Sequence, residues 1–461
     1  MRVTATTQVG VRMARRMSPG DAVWYLGENR VNPMTISSIM WFDRPLDVEL
    51  LRARFQERLL DRYPIMRQRI VASRLPGLMP LWVDDPDFDL DEHISEDRLP
   101  APGDQAALQD WCSEERTIPL DRTRPMWHVS VLQGYRGDGC AVHVRIHHSI
   151  GDGLAMMALL LTIVDEFDPL TVSVRDRSVA ELVSNAFGTG THVFAKGAHL
   201  ALHPGEIRDI ARDGAEMAEW AGRLLAPQMV QRTVLQGTPD GTKRMAWDPD
   251  GFDLAEVKRI ARTNNATVND VMMTVMSGAL HRYLADRDAL VEDIAMMIPV
   301  NLRRPGAPLP RNLGNRIGLL PLKLPVSTDD PRARLAILQR RMQELKDSPA
   351  PIVSRMLIVT TTMFTPVIER GIHRINQLRS TGVLTNVPGP QLPLHIGGSE
   401  LLGTIGWGGM TANLNLSAAF VSVNGSIFPG LVTDAAITPD PEQVLAEVAA
   451  EWEQVAAELG A

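Results

Sequence analysis

Two adjacent histidines followed by a glycine-bounded turn form the segment of this chain best suited to chemistry. The run His147-His148-Ser149-Ile150-Gly151-Asp152-Gly153 brings two imidazoles and one carboxylate close together. A neutral imidazole, with an ordinary pKa of about 6.5, can act as a general base at cytosolic pH. Two purely structural histidines at a strand end are the alternative, and the Asp-Gly step at this spacing favours the catalytic interpretation.

The residues before the motif predict a β-strand that separates the roles of the two histidines. Residues 141–146 alternate between apolar and polar side chains, which is typical of a strand with one buried face. If the pleat continues, His148 shares the apolar face, whereas His147 shares the opposite face with Arg145. We therefore predict that His148 is the base and that His147 supports the strand end.

Asp152 is expected to hold the motif turn in place and not to exchange protons with a substrate. The flanking glycines favour a turn that aims its carboxylate away from the strand end, toward a structural cation. Arg303, which follows a predicted strand far along the sequence, is the candidate. The loss of one partner from a buried Asp152–Arg303 pair would cost about 3–5 kcal/mol.

Patterns around the motif indicate an α/β architecture (strictly α+β) in two halves. A strand over 125–132 is expected to pair with the motif strand, and an apolar helix should follow over 154–167. A second series of helices and strands begins near residue 254, includes a strand near residues 317–324 and ends in a strand-rich segment. We predict an N-terminal lobe that carries the motif over residues 1–180, a helical crossover over 181–245 and a C-terminal lobe over 246–461.

Composition excludes several classes of protein. The formal net charge of −8 lacks the basic footprint of general nucleic-acid binding. The two cysteines have no metal-ligand spacing, so no metal site is expected. No signal-like apolar segment follows the N-terminal arginines, and the uncharged run over 356–368 is too short to span a bilayer. These features predict a cytoplasmic protein.

Motifs for covalent catalysis and for phosphate binding are absent from the sequence. It contains no G-x-S-x-G elbow, no glycine-rich phosphate loop and no H-E-x-x-H pattern. If an alcohol attacks a thioester, a positioned base such as His148 contributes roughly 10²- to 10⁴-fold. Direct attack in a ternary complex is therefore favoured over an acyl-enzyme.

The motif His-His-x-x-x-Asp-Gly resembles the signature of the CoA-dependent acyltransferase superfamily. The rest of the chain resembles one branch, the bacterial wax ester synthase/diacylglycerol acyltransferases. The Asp-Phe that precedes Gly-Trp-Gly in the plant branch is missing before Gly406-Trp407-Gly408, which disfavours that branch. The segments that carry the resemblance are Met17–Ala22, Leu81–Leu90, Arg124–Trp127, Val268–Val271 and Thr385–Pro390.

The resemblance implies two lobes like those of chloramphenicol acetyltransferase, with the active site in a tunnel between them. It also implies that His148 is the base and that Asp152 is structural. Further candidate substrate-binding residues are Gly153, Asn269, Asp270 and Asn386. Two alternatives stay open: Asn269 and Asp270 would form only a helix N-cap, and the Asn386 segment only a rigid turn.

The expected function is O-acyl transfer from a long-chain acyl-CoA to diacylglycerol or to a long-chain alcohol. Acyl-CoA is then a substrate, and no bound cofactor is required. Peripheral contact with a membrane or lipid droplet, through residues 178–225, is a further option, although their mixed charges favour a solvated crossover. The alternatives are an acyltransferase of the same fold with a polyketide or carrier-protein substrate, and a non-catalytic lipid-binding protein.

Overall fold

The computed structural model describes residues 14–73, 78–166, 216–224, 231–303, 312–363, 380–410 and 414–460. The strands of this part of the chain are β1 (Arg15–Arg16), β2 (Thr35–Phe42), β3 (Gln68–Val71), β4 (Leu81–Asp84), β5 (Ile94–Arg98), β6 (Trp127–Tyr135), β7 (Gly139–His147), β8 (Lys243–Trp247), β9 (Phe252–Asp253), β10 (Ile294–Asn301), β11 (Ile317–Leu324), β12 (Gly382–Pro388), β13 (His395–Ile396), β14 (Ser399–Trp407), β15 (Leu416–Val423) and β16 (Ser426–Asp434). The α-helices are α1 (Pro19–Gly27), α2 (Val48–Arg54), α3 (Gln105–Thr117), α4 (Gly153–Leu161), α5 (216–224), α6 (Leu254–Thr263), α7 (Val268–Ala285), α8 (Pro331–Asp347), α9 (Ala350–Met363) and α10 (Pro441–Leu459).

The motif strand β7 lies inside a six-stranded sheet with the order β13-β14-β2-β7-β6-β5. It pairs antiparallel with β2 on one side and with β6 on the other, so the predicted pairing with the 125–132 strand is confirmed. Every residue of β7 is buried. The prediction of one buried face was therefore wrong, since both faces are covered.

Helix α3 covers the face of β7 that was expected to be solvated. The Trp111 ring meets the His143 ring edge-on, with 5.9 Å between the ring centroids. Arg145 Nη1 donates hydrogen bonds to the carbonyl oxygens of Glu115 and Ile118 at the end of α3. The polar residues of this strand contact a helix. The alternation in sequence shows only that one face is polar, and it does not show whether a helix or solvent covers that face.

A second sheet has the strand order β11-β10-β12-β15-β16-β8, with β9 beside β16. The predicted strand over 317–324 coincides with β11. Helix α7 lies in the core of this half and begins in a capping box, in which Asp270 N donates to Thr267 Oγ1 and Thr267 N donates to Asp270 Oδ2. The terminal helix α10 packs against α7. It was not predicted, because the end of the chain was expected to form strands.

Strand β14 joins the two halves of the chain. It follows β12 in sequence, yet it pairs with β2 in the six-stranded sheet, with Thr404 opposite Met40 and Gly406 opposite Ser38. The predicted boundaries at residues 180 and 245 remain predictions. Residue 180 lies outside the described residues, and two strands from beyond residue 246, β13 and β14, belong to the N-terminal sheet.

The helices predicted over 178–225 fall largely outside the described residues. Only the segment 216–224 is described there, and it is helical. Among the helices of the described ranges, none has both the length and the apolar character needed to cross a membrane.

Candidate active site

The motif turn links the end of β7 to the start of α4. His148 N donates a 2.7 Å hydrogen bond to Met34 O, which extends the strand pairing one residue beyond β7. Asp152 Oδ1 accepts from Ala155 N at 3.1 Å in the first turn of α4. Gly314 N donates to Ile150 O at 3.0 Å, so a loop from the C-terminal half lies directly against the motif.

Asn315 in that loop fixes the orientation and the tautomer of the His148 ring. Its Nδ2 donates to Asp21 Oδ1 at 2.9 Å and to His148 O at 2.8 Å, and both of these atoms are acceptors. Asn315 Oδ1 therefore faces His148 Nδ1, at 3.0 Å, and can only accept a hydrogen bond from it. The proton of the neutral ring sits on Nδ1, which leaves the lone pair of Nε2 free to act as a base.

Asp21 at the start of α1 holds Asn315 from the other side. Its carboxylate accepts from Asn315 N at 2.7 Å and from Ser18 Oγ at 2.6 Å. Burial raises the pKa of Asp21, while the hydrogen bonds from Ser18 and Asn315 act in the opposite direction. The Asp21 carboxylate is thus linked to the His148 ring through the side-chain amide of Asn315, whose position it helps to fix.

Trp24 covers one face of the His148 ring, and Gly408 lies beside the Nε2 edge of the ring. The Trp24 ring stacks on the imidazole with 3.8 Å between centroids and 12° between planes. A Cβ built on Gly408 would lie 3.7 Å from His148 Nε2. Among the described residues, Nε2 has no hydrogen-bond partner, so its lone pair is available to a bound hydroxyl.

Burial lowers the pKa of His148 to about 4, although the charge of Asp152 and the hydrogen bond to Asn315 act to raise it. The ring is therefore neutral near pH 7, as a general base requires. When the ring accepts a proton, its positive charge interacts favourably with the carboxylate of Asp152 and with the π face of Trp24. These groups lower the cost of the charge at the moment it forms.

His147 lies on the opposite side of the strand and supports the same backbone. Its Nδ1 accepts a 3.1 Å hydrogen bond from Ser149 N. Its Nε2 lies 3.6 Å from Glu28 Oε1, an electrostatic contact that is too long for a good hydrogen bond. Burial alone would raise the pKa of Glu28, but interactions with His147 and Arg122 lower it to about 2. Glu28 Oε1 also accepts from Met34 N at 3.0 Å, next to the carbonyl that binds His148.

The structure brings Asp152 and Arg303 together in a buried ion pair. Asp152 Oδ2 accepts from Arg303 Nη1 and, at 2.9 Å, from Arg316 N. Arg303 Nη2 donates to Gly314 O at 2.5 Å. The exposed fractions of the two side chains are 1% for Asp152 and 9% for Arg303. This pair ties the motif turn to the loop that carries Asn315.

The predicted substrate-binding residues are not brought together at His148. Gly153 begins α4, and a Cβ built there would meet no atom within 4 Å. Asn386 Nδ2 donates to Asn269 Oδ1 at 3.4 Å, between β12 and α7, and Asp270 belongs to the capping box. No hydrogen bond, ion pair or ring contact of the described residues links these side chains to His148. Their role in substrate binding stays a prediction.

Sequence reasoning missed the groups that orient the His148 ring. Backbone groups of the motif turn were expected to do so, but the orienting atom is Asn315 Oδ1, which is 167 residues away in sequence. Asp21 lies in the Met17–Ala22 segment quoted for the family resemblance, without a role. For Trp24 the sequence carries no signal, since an aromatic residue on a short helix is usually part of the core.

The arrangement suits proton transfer, and the described part of the chain places no protein nucleophile against His148 Nε2. In the described ranges, no serine hydroxyl or cysteine thiol hydrogen-bonds His148 Nε2. Burial raises the pKa of the Cys112 thiol well above its usual value and that of Cys140 to about 12, so neither thiol is reactive.

Comparisons with known proteins agree with this chemistry. Residues 17–272 match the wax ester synthase/diacylglycerol acyltransferase catalytic domain, and residues 313–455 match the C-terminal domain of the same family. An O-acyltransferase of Acinetobacter baylyi is 27% identical over 409 residues, covering 84% of this chain and 85% of that protein. A putative diacylglycerol O-acyltransferase of Mycobacterium tuberculosis is 27% identical over 448 residues, covering 92% of this chain and 87% of that protein.

Solved structures share the fold. A wax ester synthase/diacylglycerol acyltransferase from Marinobacter aquaeolei has a TM-score of 0.68 at 21% identity, covering 97% of this chain and 100% of that chain. The first condensation domain of the CDA synthetase has a TM-score of 0.61 at 16% identity, covering 98% of each chain. The predicted two-lobe α/β architecture is confirmed.

Proposed function

We propose, because the chain belongs to the wax ester synthase/diacylglycerol acyltransferase family, that His148 is the general base of its acyl-transfer reaction. The observation that carries this proposal is the buried, neutral imidazole whose Nδ1 is engaged by Asn315 and whose Nε2 is free. The donor is a long-chain acyl-CoA. The acceptor is the hydroxyl of diacylglycerol or of a long-chain alcohol.

In the proposed reaction, the acceptor oxygen attacks the thioester carbonyl while His148 Nε2 takes the hydroxyl proton. A carbon–oxygen bond forms, and the collapse of the tetrahedral intermediate breaks the carbon–sulfur bond. The imidazolium returns its proton to the departing thiolate, which leaves as coenzyme A. The protein supplies a base, holds the ring of that base in one orientation and buries it. The reaction as written balances without a resident cofactor or metal.

The direct test replaces His148 by alanine. We expect the turnover of palmitoyl-CoA with hexadecanol and with dipalmitoylglycerol to fall by roughly 10²- to 10⁴-fold, because the base no longer contributes. His281→Ala is the matched control, since this ring bonds a backbone carbonyl, Val326 O, in the C-terminal half. Wild-type turnover by a folded His148→Ala protein would refute the proposal.

The same assay separates the two alternatives. A carrier-protein substrate predicts no transfer from free palmitoyl-CoA to a simple lipid alcohol. A non-catalytic lipid-binding protein predicts no turnover by the wild type with any donor. Ester formation that depends on His148 excludes both alternatives, and the ratio of triacylglycerol to wax ester gives the preferred acceptor.

We also propose a cytoplasmic location with peripheral contact at a membrane or lipid droplet, where both lipid acceptors reside. Flotation of the protein with droplets of triacylglycerol coated with phospholipid tests this contact. The protein should float with the droplets and remain at the bottom of the gradient without them. Equal sedimentation in both cases contradicts the contact.

A further inference from the structure

A buried cationic layer lies behind the motif strand, on the face of β7 opposite His148. It consists of His143 and Arg145 of β7 and of Arg116 from the buried face of α3. The exposed fractions of these residues are 1%, 7% and 2%. Arg145 Nη1 donates to Glu115 O at 2.6 Å, so the Arg116 backbone follows this contact directly. The charges of both guanidinium groups act to lower the pKa of His143, so the three groups share one electrostatic environment.

The carboxylates nearest to this layer already have other partners. Glu115 Oε2 lies 2.5 Å from Arg145 Nη2. The charge of Glu28 acts on Arg116, but Glu28 Oε2 accepts from Arg122 Nε at 3.0 Å and its Oε1 accepts a backbone N–H. In the described ranges, no carboxylate forms an ion pair with Arg116. Its positive charge is therefore the uncompensated one of the layer.

Several nitrogen atoms of the cationic layer are buried and have no hydrogen-bond partner among the described residues. They are Arg116 Nε and Nη1, Arg145 Nε and both ring nitrogens of His143. Burial holds the pKa of His143 well below its usual value, so the ring is neutral and has one N–H and one lone pair. All the other atoms of this set carry a hydrogen. A water molecule would need acceptors for its own two hydrogens, whereas these atoms offer almost only donors.

The buried guanidinium of Arg116 cannot lose its charge by releasing a proton. Burial and the charge of Arg145 lower the pKa of Arg116, but only to about 10, so the group remains charged near pH 7. An unpaired charge in the interior is strongly destabilising, whereas a hydrogen-bonded ion of opposite sign offsets the loss of hydration. One unpaired positive charge requires one negative charge.

We propose that the cationic layer binds one monovalent inorganic anion, chloride, between α3 and β7. The ion accepts hydrogen bonds from Arg116 Nε and Nη1, from Arg145 Nε and from the N–H of His143. Chloride carries a single charge, accepts from several directions and brings no hydrogen that needs an acceptor. It holds the motif strand against α3 and takes no part in acyl transfer, so this assignment does not rest on the proposed reaction.

Thermal unfolding in sodium chloride and in sodium gluconate, at equal ionic strength, tests the assignment. Gluconate is too large for an enclosed site and controls for general effects of salt. The Tm of the wild type should be about 3 °C higher at a chloride concentration about 100-fold above the dissociation constant, and it should rise with the logarithm of that concentration. In crystals soaked in bromide, an anomalous scattering peak should lie between α3 and β7, beside Arg116.

Two variants remove the need for the ion in different ways. Arg116→Met removes the unpaired charge and keeps a long side chain, while His143→Asp supplies a carboxylate beside the same guanidinium groups. In each, the difference in Tm between chloride and gluconate should fall below about 1 °C. Arg341→Met is the matched control, because Arg341 already pairs with Asp293 at 2.7 Å, and it should keep the wild-type difference. Either variant alone is sufficient if the other does not fold.

Three results would overturn the assignment. The first is a wild-type Tm that is the same in chloride and in gluconate. The second is a chloride effect in folded Arg116→Met or folded His143→Asp that equals the wild-type effect. The third is ordered water, without a bromide peak, at Arg116. Turnover that depends on His148 is measured separately, so none of these results bears on the proposed reaction.

Discussion

Replacing Asn315 by leucine removes the acceptor of the His148 Nδ1–H while keeping a side chain of similar size. The variant loses three hydrogen bonds, at 3.0 Å to His148 Nδ1, 2.8 Å to His148 O and 2.9 Å to Asp21 Oδ1. Two of them join neutral groups, each worth about 1 kcal/mol, and the one to a carboxylate is worth about 1.5–3 kcal/mol. The free energy of unfolding should fall by about 3–5 kcal/mol.

Catalysis should fall for a separate reason. Without Asn315 Oδ1, the His148 ring is free to rotate and to place its proton on Nε2, where it blocks the lone pair. The loss cannot exceed the whole contribution of the base, which is roughly 10²- to 10⁴-fold. We expect kcat to fall about 100-fold, or about 2.7 kcal/mol, with the KM for acyl-CoA within about 3-fold of wild type.

A double-mutant cycle tests whether Asn315 acts through His148. In a His148→Ala background, Asn315→Leu should change kcat by less than about 2-fold, because there is no ring left to orient. Asn264→Ala is the control, since its amide also donates two hydrogen bonds, to Ile260 O and Leu459 O, far from the site. Initial rates and urea unfolding are measured for every variant. Effects of Asn315→Leu and His148→Ala that multiply in kcat would refute the positioning role.

Three further outcomes are expected. Asp152→Ala and Arg303→Ala should each lower the free energy of urea unfolding by about 3–5 kcal/mol, with the double variant losing less than the sum; wild-type stability in both single variants contradicts the pairing. The kcat/KM of the wild type should show no acid limb centred on pH 6.5, since the pKa of His148 is lowered to about 4 and the active neutral ring persists until the pH falls through that value. Between these pH values the unfolded chain binds a proton at His148 that the folded chain does not, so the free energy of unfolding decreases as the pH is lowered. Circular dichroism at each pH must therefore show that the protein is still folded. Trp24→Leu should reduce kcat by about 2- to 30-fold and Trp24→Phe by less, if the stacked ring stabilises the imidazolium; equal rates in all three proteins argue against it.

Local patterns were sufficient for the features that depend on neighbours in sequence. The alternation before His148 predicted the strand, and the glycines around Asp152 predicted a turn that points its carboxylate toward a cation. The contact between Asp152 and Arg303 is present, although its effect on stability is still a prediction. Strand β11 was found with its observed bounds because its apolar run lies between clear turn signals.

The orienting network escaped prediction because it depends on three segments that meet only in the folded chain. Asp21, Asn315 and His148 come from the start of a helix, a loop and a strand end, and hydrogen-bond geometry alone connects them. The burial of the polar face of β7 was not predicted, for a related reason. Polar residues on a strand look the same in sequence whether a helix or water lies over them.

The late position of β14 has a consequence for the synthesis of the chain. While the ribosome makes residues 35–147, the edge of β2 that later pairs with β14 has no partner, and unpaired strand edges invite aggregation. The edge stays open until residues 399–407 emerge. Gly408, which faces the base, follows directly, and Asn315 emerges before it. A nascent chain therefore lacks both the β14 partner of β2 and the Gly408 neighbour of His148 until most of its length has been translated.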